Sequence, residues 1–332
     1  MKNLVAIILL LIFGSYYLMS QEYVLPENLD YKKHFQWDKS KWLRKADKTA
    51  IKCKSALHFK LVSKATEIAG KGMDSRASAT SYAILNGISE KTMQEIADEY
   101  YVILNKKLTE AGFKMLPYEN VKKSDVYEKM MNKEKDRTYS EKSRGAAFTV
   151  TAYNGPNSKY HEANIGTWGL FKKIAKKNKA LVINSDVIIE FANFDIDLKK
   201  SRGFRYEAAT ASTTVLPDVI VTPYTSVDAG GTSMLDQTQS TLTFLDAKGM
   251  SYEVKANKSI SFGGDYATKI ESFSGQMPAV MKRFVNIKGD LDLSTGTFEI
   301  TADEEQFKKD VLAALERYAD ILVKKLIMTL EK

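Results

Sequence analysis

One cysteine and three histidines in 332 residues leave little room for several common kinds of protein chemistry. With Cys53 alone, no intramolecular disulfide can form, and within "AIKCKSALHF" it reads as a small residue inside a strand or helix start, not a reactive thiol. His34, His58 and His161 lie far apart, and none has a second metal-type ligand at helical or strand spacing, so no metal site is announced. The chain also lacks a Gly-x-Ser-x-Gly elbow, a phosphate-binding loop and a dinucleotide fingerprint, and no cofactor is implied. Concentrated basic charge is missing too. The formal balance of +8 is spread along the chain, and a run such as "LFKKIAKKNKA" (170–180) reads as a solvated helix face. No basic patch interleaved with stacking aromatics is present, so nucleic acid is not an expected partner. Anionic phospholipid or a negatively charged wall polymer is a simpler use of the charge, as a peripheral membrane or cell-wall contact.

What is present begins with "MKNLVAIILLLIFGSYYLMSQEYV", which has one positive charge at Lys2, an apolar stretch from Leu4 to Phe13, and Ser20 ahead of Gln21. That order predicts a secretory signal peptide over residues 1–20, its apolar part too short for a comfortable membrane span. No cysteine lies near Ser20 to carry a lipid anchor. Export without disulfides fits a bacterial envelope, so the expected address is the periplasm, the outer-membrane surface or the exterior. Residues 21–54 predict an N-terminal arm whose aromatics Tyr23, Tyr31, Phe35, Trp37 and Trp42 tether it piecemeal to the body, with a short helix near Lys39 to Lys45.

Residues 55–332 predict a single α/β (α+β) domain: a mixed sheet flanked by amphipathic helices, a hairpin-rich second half and a long C-terminal helix. The stretch "TSYAILNGI" reads as a buried strand ended by Asn86-Gly87, and Ser89 offers a helix cap. Met93, Ile96, Ala97, Tyr100, Leu104 and Leu108 form one apolar stripe, and Gly112 closes the helix. With "FKMLPYENV" as the returning strand, this predicts one β-α-β unit with its strands parallel. A short helix is expected at Ser124 to Met131, a strand at "AAFTVTAYNG", and a helix at "GTWGLFKKIAKKNKA". "ALVINSDVIIEFANFDIDL" is the strongest strand, with Val187, Ile189, Phe191 and Asn193 on one face and Ile188, Glu190, Ala192 and Phe194 on the other. A β-rich insertion is expected around 203–262, including a hairpin turning at Asp246 to Gly249, and a second hairpin at "FVNIKGDLDLSTGTFEIT". Asp303 with Gln306 predicts the cap of the last helix.

Candidate chemistry is confined to carboxylates and one loop. Asp195 and Asp197 in "NFDIDL", and Asp290 and Asp292 in "GDLDLS", stand two residues apart on strands, where paired acids can hold a cation or divide acid and base work. The commoner use of that spacing is the wet face of a half-buried strand. The glycine-containing loop with Tyr224, Asp228, Gly230 and Gly231 is a candidate binding element.

The order of strand, "NGISEKTMQEIADEYYVILNKKLTEAG", strand, and then "TWGLFKKIAKKNKALVINSDVIIEFANFDID", a hairpin and a last long helix resembles a known family. This is the family of the curli secretion channel subunit CsgG and the TolB amino-terminal domain, whose fold the activators of penicillin-binding proteins share. The likeness covers about residues 81–330 and is one of order and pattern; the lipidation cysteine of the channel subunits is absent. The resemblance implies a non-enzymatic envelope scaffold, assembly or binding module, with an envelope protein as partner or several copies of the chain together. A pore would need apolar residues at every second position of membrane-length hairpins, and "FRYEAATASTTVLPDVIVTPY" alternates weakly and carries two prolines. The alternative is a hydrolase of wall or surface polymers working through Glu190, Asp195 or Asp197, which would need two of them across one cleft.

Overall fold

The computed structural model describes residues 23–36, 41–69, 77–126, 138–142, 148–154, 165–202, 207–223, 239–274 and 291–331. In chain order these form β1 (Tyr23–Val24), a 3-10 turn (Pro26–Asn28), α1 (Lys41–Lys45), β2 (Thr49–Lys60), β3 (Val62–Ala69), β4 (Ala77–Asn86) and α2 (Glu90–Glu110). Next come β5 (Lys114–Met115), α3 (Glu119–Lys122), β6 (Thr138–Lys142), β7 (Phe148–Asn154), α4 (Ile165–Asn178), β8 (Leu181–Arg202) and β9 (Glu207–Thr222). The remainder is β10 (Thr241–Leu245), β11 (Ser251–Val254), β12 (Ser259–Ser261), β13 (Ala267–Ser272), β14 (Leu291–Ala302) and α5 (Glu304–Leu330).

The strands make two mixed sheets. The larger runs β1-β12-β9-β8-β2-β7-β6, with β10 and its hairpin partner β11 attached to β8 and β5 attached to β2. The smaller runs β13-β14-β4-β3. This is the mixed α/β architecture expected, with a strand-rich second half and a long terminal helix. The described strands within 203–262 belong to the large sheet, since β9 and β10 both pair with β8 and β12 pairs with β9.

Both long helices start where local chemistry dictates. The Ser89 hydroxyl accepts from the Thr92 N–H at 3.2 Å, and the Asp303 carboxylate accepts from the Gln306 N–H at 2.8 Å, each meeting an amide that the first turn leaves unpaired. Gly112 follows α2 at φ +86°, a conformation open to glycine. The buried stripes of α2 (Met93, Ile96, Tyr100, Leu104) and α5 (Phe307, Val311, Leu315, Tyr318, Leu322) pack on one face of the large sheet against Leu57, Phe59, Val187, Ile189 and Phe244. The opposite face carries a smaller core, in which Phe171, Ile174 and Ala175 of α4 cover Ile51, Cys53, Val182 and Leu245. Ahead of β2, Phe35 is buried, Tyr31 stacks on it at 5.3 Å, and Lys325 of α5 donates to the Tyr31 carbonyl at 2.9 Å; residues 49–54 of the expected arm are part of β2, and Trp37 lies outside the described residues.

Four local expectations are corrected. β4 and β5 belong to different sheets, so α2 joins two sheets and closes no parallel β-α-β unit; β5 is held to two residues because Pro117 and the α3 turn follow at once. Of the helix expected at 124–131, residues 124–126 are turn, and the helical turn comes earlier, at Glu119–Lys122. The described part of the expected second hairpin is one strand, β14, in which the "STGT" segment is a bulge with Gly296 at φ +122°. In β8 the alternation switches at a register shift between Glu190 and Ala192: Phe191 and Ala192 both join the core, and Phe194 packs against it from the same side. The distal half of the β8–β9 ribbon then lies on the small sheet, where Ser81 and Thr213 share a hydrogen bond of 2.7 Å and Thr213 reaches Thr295 at 2.7 Å.

Candidate functional site

The chemistry-bearing side chains gather on the α4 side of the large sheet, along β2 and β8. A register shift between Lys52 and Lys54 places two successive residues of β2 toward the same face. Lys52 remains on the α2 side, where its amine donates to the Tyr101 carbonyl at 2.9 Å and sits 3.8 Å from the Tyr101 ring centre. Lys54, His58 and Lys60 are carried to the other face, opposite Asp186 and Glu190 of β8. Lys54 pairs with Asp186, whose carboxylate also lies 3.2 Å from His58 Nε2, and Lys60 pairs with Glu190.

These are buried charges. Lys60 and Glu190 are 3% and 2% exposed, and Lys54 is 4% exposed. Burial lowers the Lys54 pKa, and the Asp186 carboxylate opposes that shift only in part. Lys52, with no carboxylate to oppose its burial, is pushed well below the ordinary lysine range. One oxygen of Glu190, Oε2, is buried without a hydrogen-bond partner.

The row continues onto the neighbouring strands. Asp218 of β9 accepts from Ser261 Oγ at 2.6 Å and from the Gly263 N–H at 2.8 Å; burial raises its pKa although these bonds favour the anion. Tyr23 of the arm faces Glu190 and Asp218, and its hydroxyl is raised first by burial and then by those two charges. The belt therefore matches Lys54 with Asp186 and Lys60 with Glu190, sealing both signs inside the fold. Such an arrangement favours one register of the two strands, because a slip would leave the buried charges unmatched.

The predicted residues are scattered by the fold. Glu190 is inside the belt. Asp195 and Asp197 stand on the outer face of the distal half of β8, both exposed, with Asp197 paired to Lys199 at 2.6 Å. At about 3.3 Å per residue, Asp195 is roughly 16 Å further along the strand than Glu190, beyond the separation of an acid–base carboxylate pair. Asp292 is in register with Ser78 of β4, while Asp290 and the whole candidate loop with Tyr224, Asp228, Gly230 and Gly231 lie outside the described residues.

No family model, curated protein or solved structure matches this chain.

Sequence reasoning passed over the belt, although a signal for it existed. In "IKCKSALHFK" the basic residues Lys52, Lys54, His58 and Lys60 all fall at even positions of a strand that is otherwise apolar or small. Buried basic residues call for partners on neighbouring elements: Asp186 and Glu190 of β8 meet Lys54 and Lys60, while Lys52, on the other face, has the Tyr101 carbonyl.

A further cavity of about 350 Å³ lies beside the start of α5, lined by Phe262, Gly263, Gly264, Asp265, Asp310 and Arg317. One of its acids is engaged in the fold: Asp310 accepts from the Asp265 N–H at 2.8 Å and from Gln306 at 2.7 Å.

Proposed function

We propose that this protein is an exported, non-enzymatic module of a bacterial envelope that works by binding, as a periplasmic or outer-membrane-associated scaffold or assembly component, with the CsgG and TolB amino-terminal family as its distant likeness. The observation that carries this reading is the fate of the carboxylates. Glu190 is paired with Lys60 in the interior, while Asp195 and Asp197 stand exposed on the outer face of the β8–β9 ribbon. A hydrolase needs two acids across a cleft in different protonation environments. A binding module needs broad, polar, exposed strand surface, which the row of Asp195, Asp197 and Lys199 supplies.

The leader at residues 1–20 assigns the compartment in this reading. No helix among the described residues is long and apolar enough to cross a membrane. The outward row on β8 is charged, which fits contact with water or a polymer better than with lipid.

The test is expression with the leader in a two-membrane bacterium, followed by intact mass measurement, cell fractionation, and incubation of the purified product with peptidoglycan and surface polysaccharide. The expected result is a product shortened by the leader, found in the envelope fractions, that sediments with the polymer or envelope protein and releases no new reducing ends or peptides. Retention in the cytosol with the leader intact would overturn the address. Polymer cleavage abolished by Asp195→Asn or Asp197→Asn would overturn the absence of catalysis.

A further inference from the structure

Among the described strands, β13 has a neighbour on one side only, β14, and its residues 268–272 are all exposed. The Phe273 N–H donates to the Thr297 carbonyl at 2.8 Å. By strand alternation, Lys269 and Glu271 also point their backbone groups at β14, and Ile270 and Ser272 point theirs outward. The outer edge therefore presents the N–H and C=O of Ile270 at its centre, with an isoleucine side chain that is 39% exposed. A register shift at Thr268 limits this regular edge to residues 269–272.

The edge is complementary to itself. If a second copy approaches antiparallel with Ile270 opposite Ile270, each Lys269 faces Glu271 of the other copy, and the central residues exchange two backbone hydrogen bonds. Both Lys–Glu pairs then occupy the non-hydrogen-bonded positions, where side chains across a sheet stand closest. Within one chain, Lys269 and Glu271 pair along the strand at 2.7 Å while 62% and 46% exposed, an arrangement worth little in water and easily exchanged.

We propose that two copies of this chain associate through β13 about a twofold axis in this register, joining their small sheets into one continuous sheet. The charge pattern selects a second copy over an unrelated strand: one twofold axis through the Ile270 pair satisfies all four charges, and such self-complementarity is what a twofold interface requires. The inference rests on the edge strand alone and stands apart from the envelope reading. The paired segment is short, so association rises with concentration over the micromolar range and above.

The test is sedimentation velocity over a concentration series. The wild-type chain is expected to form a dimer. Lys269→Glu and Glu271→Lys should each raise the dissociation constant by about tenfold or more, because each places like charges opposite one another twice. An equimolar mixture of the two variants should recover the dimer, since the mixed pair restores both opposite-charge contacts. Ile270→Pro removes the outward N–H without breaking a bond to β14 and should give a monomer with an unchanged circular dichroism spectrum. A wild-type chain that stays monomeric overturns the proposal. So do variants that associate like the wild type, or a mixture that fails to recover.

Discussion

Lys60 of β2 and Glu190 of β8 form an ion pair across two neighbouring strands, with only 3% and 2% of their surfaces exposed. Two charges withdrawn this far from water stabilise one another only while both are present. Removing one leaves the other desolvated and uncompensated, a loss of about 3–5 kcal/mol, whereas an apolar pair of similar volume can be nearly neutral. Glu190→Ala is accordingly expected to cost several times more stability than the double replacement Lys60→Met with Glu190→Leu. Denaturant unfolding of the three proteins checks this, and equal losses in single and double variants would show the pair to be unimportant.

Gly87, between β4 and α2, sits at φ +91°, and a Cβ there would stand 2.7 Å from the carbonyl oxygen of Ala302. Gly87→Ala meets both a left-handed backbone and a fixed backbone atom, so a loss of about 1–3 kcal/mol is expected. The readout is a lowered thermal midpoint. A melt unchanged from wild type would mean that the end of β14 does not hold this turn.

Glu304 opens α5 and accepts from the Thr92 hydroxyl at 2.6 Å and the Ser89 N–H at 2.8 Å, binding the first turns of the two long helices together. The hydrogen bond from Thr92, followed by those from Ser89, lowers its pKa from 4.5 to about 2. A carboxylate with a lowered folded-state pKa binds fewer protons folded than unfolded, so its contribution is present above pH 4.5 and is lost as pH falls toward 2. The stability difference between wild type and Glu304→Gln should therefore shrink as pH falls from about 5 to 2. A difference that does not change with pH over that range would contradict the assignment.

Cys53 is fully buried between β2 and α4, and burial pushes its thiol up, away from the reactive thiolate. Ellman's reagent should report no fast-reacting thiol in the folded protein and one after denaturation. A rapid reaction under native conditions would mean that α4 does not cover this part of the sheet.

Much of the helical framework was readable because its causes lie within a few residues. The Ser89 and Asp303 caps, the Gly112 terminus and the stripes of α2 and α5 depend on groups one to four residues apart, so their chemistry is visible in the one-dimensional chain. The turn at Asp246 to Gly249 is equally local: the Asp246 carboxylate accepts from the N–H groups of Lys248 and Met250, both at 2.8 Å, and Gly249 takes φ +91°. The lack of an intramolecular disulfide likewise follows from composition, since Cys53 is the single cysteine.

The assignment of strands to sheets and faces was decided by tertiary structure. A strand's inner face is defined only by its neighbours, and a single bulge exchanges the two faces beyond it. The shift after Lys52 sends Lys54, His58 and Lys60 to meet Asp186 and Glu190, more than a hundred residues away, and the shift near Ala192 turns Phe194 inward and leaves Asp195 and Asp197 in water. The sequence alone determined where the two long helices begin and which of their faces is apolar. Which charges would be buried together followed from packing, because burial belongs to pairs of distant segments and not to either one by itself.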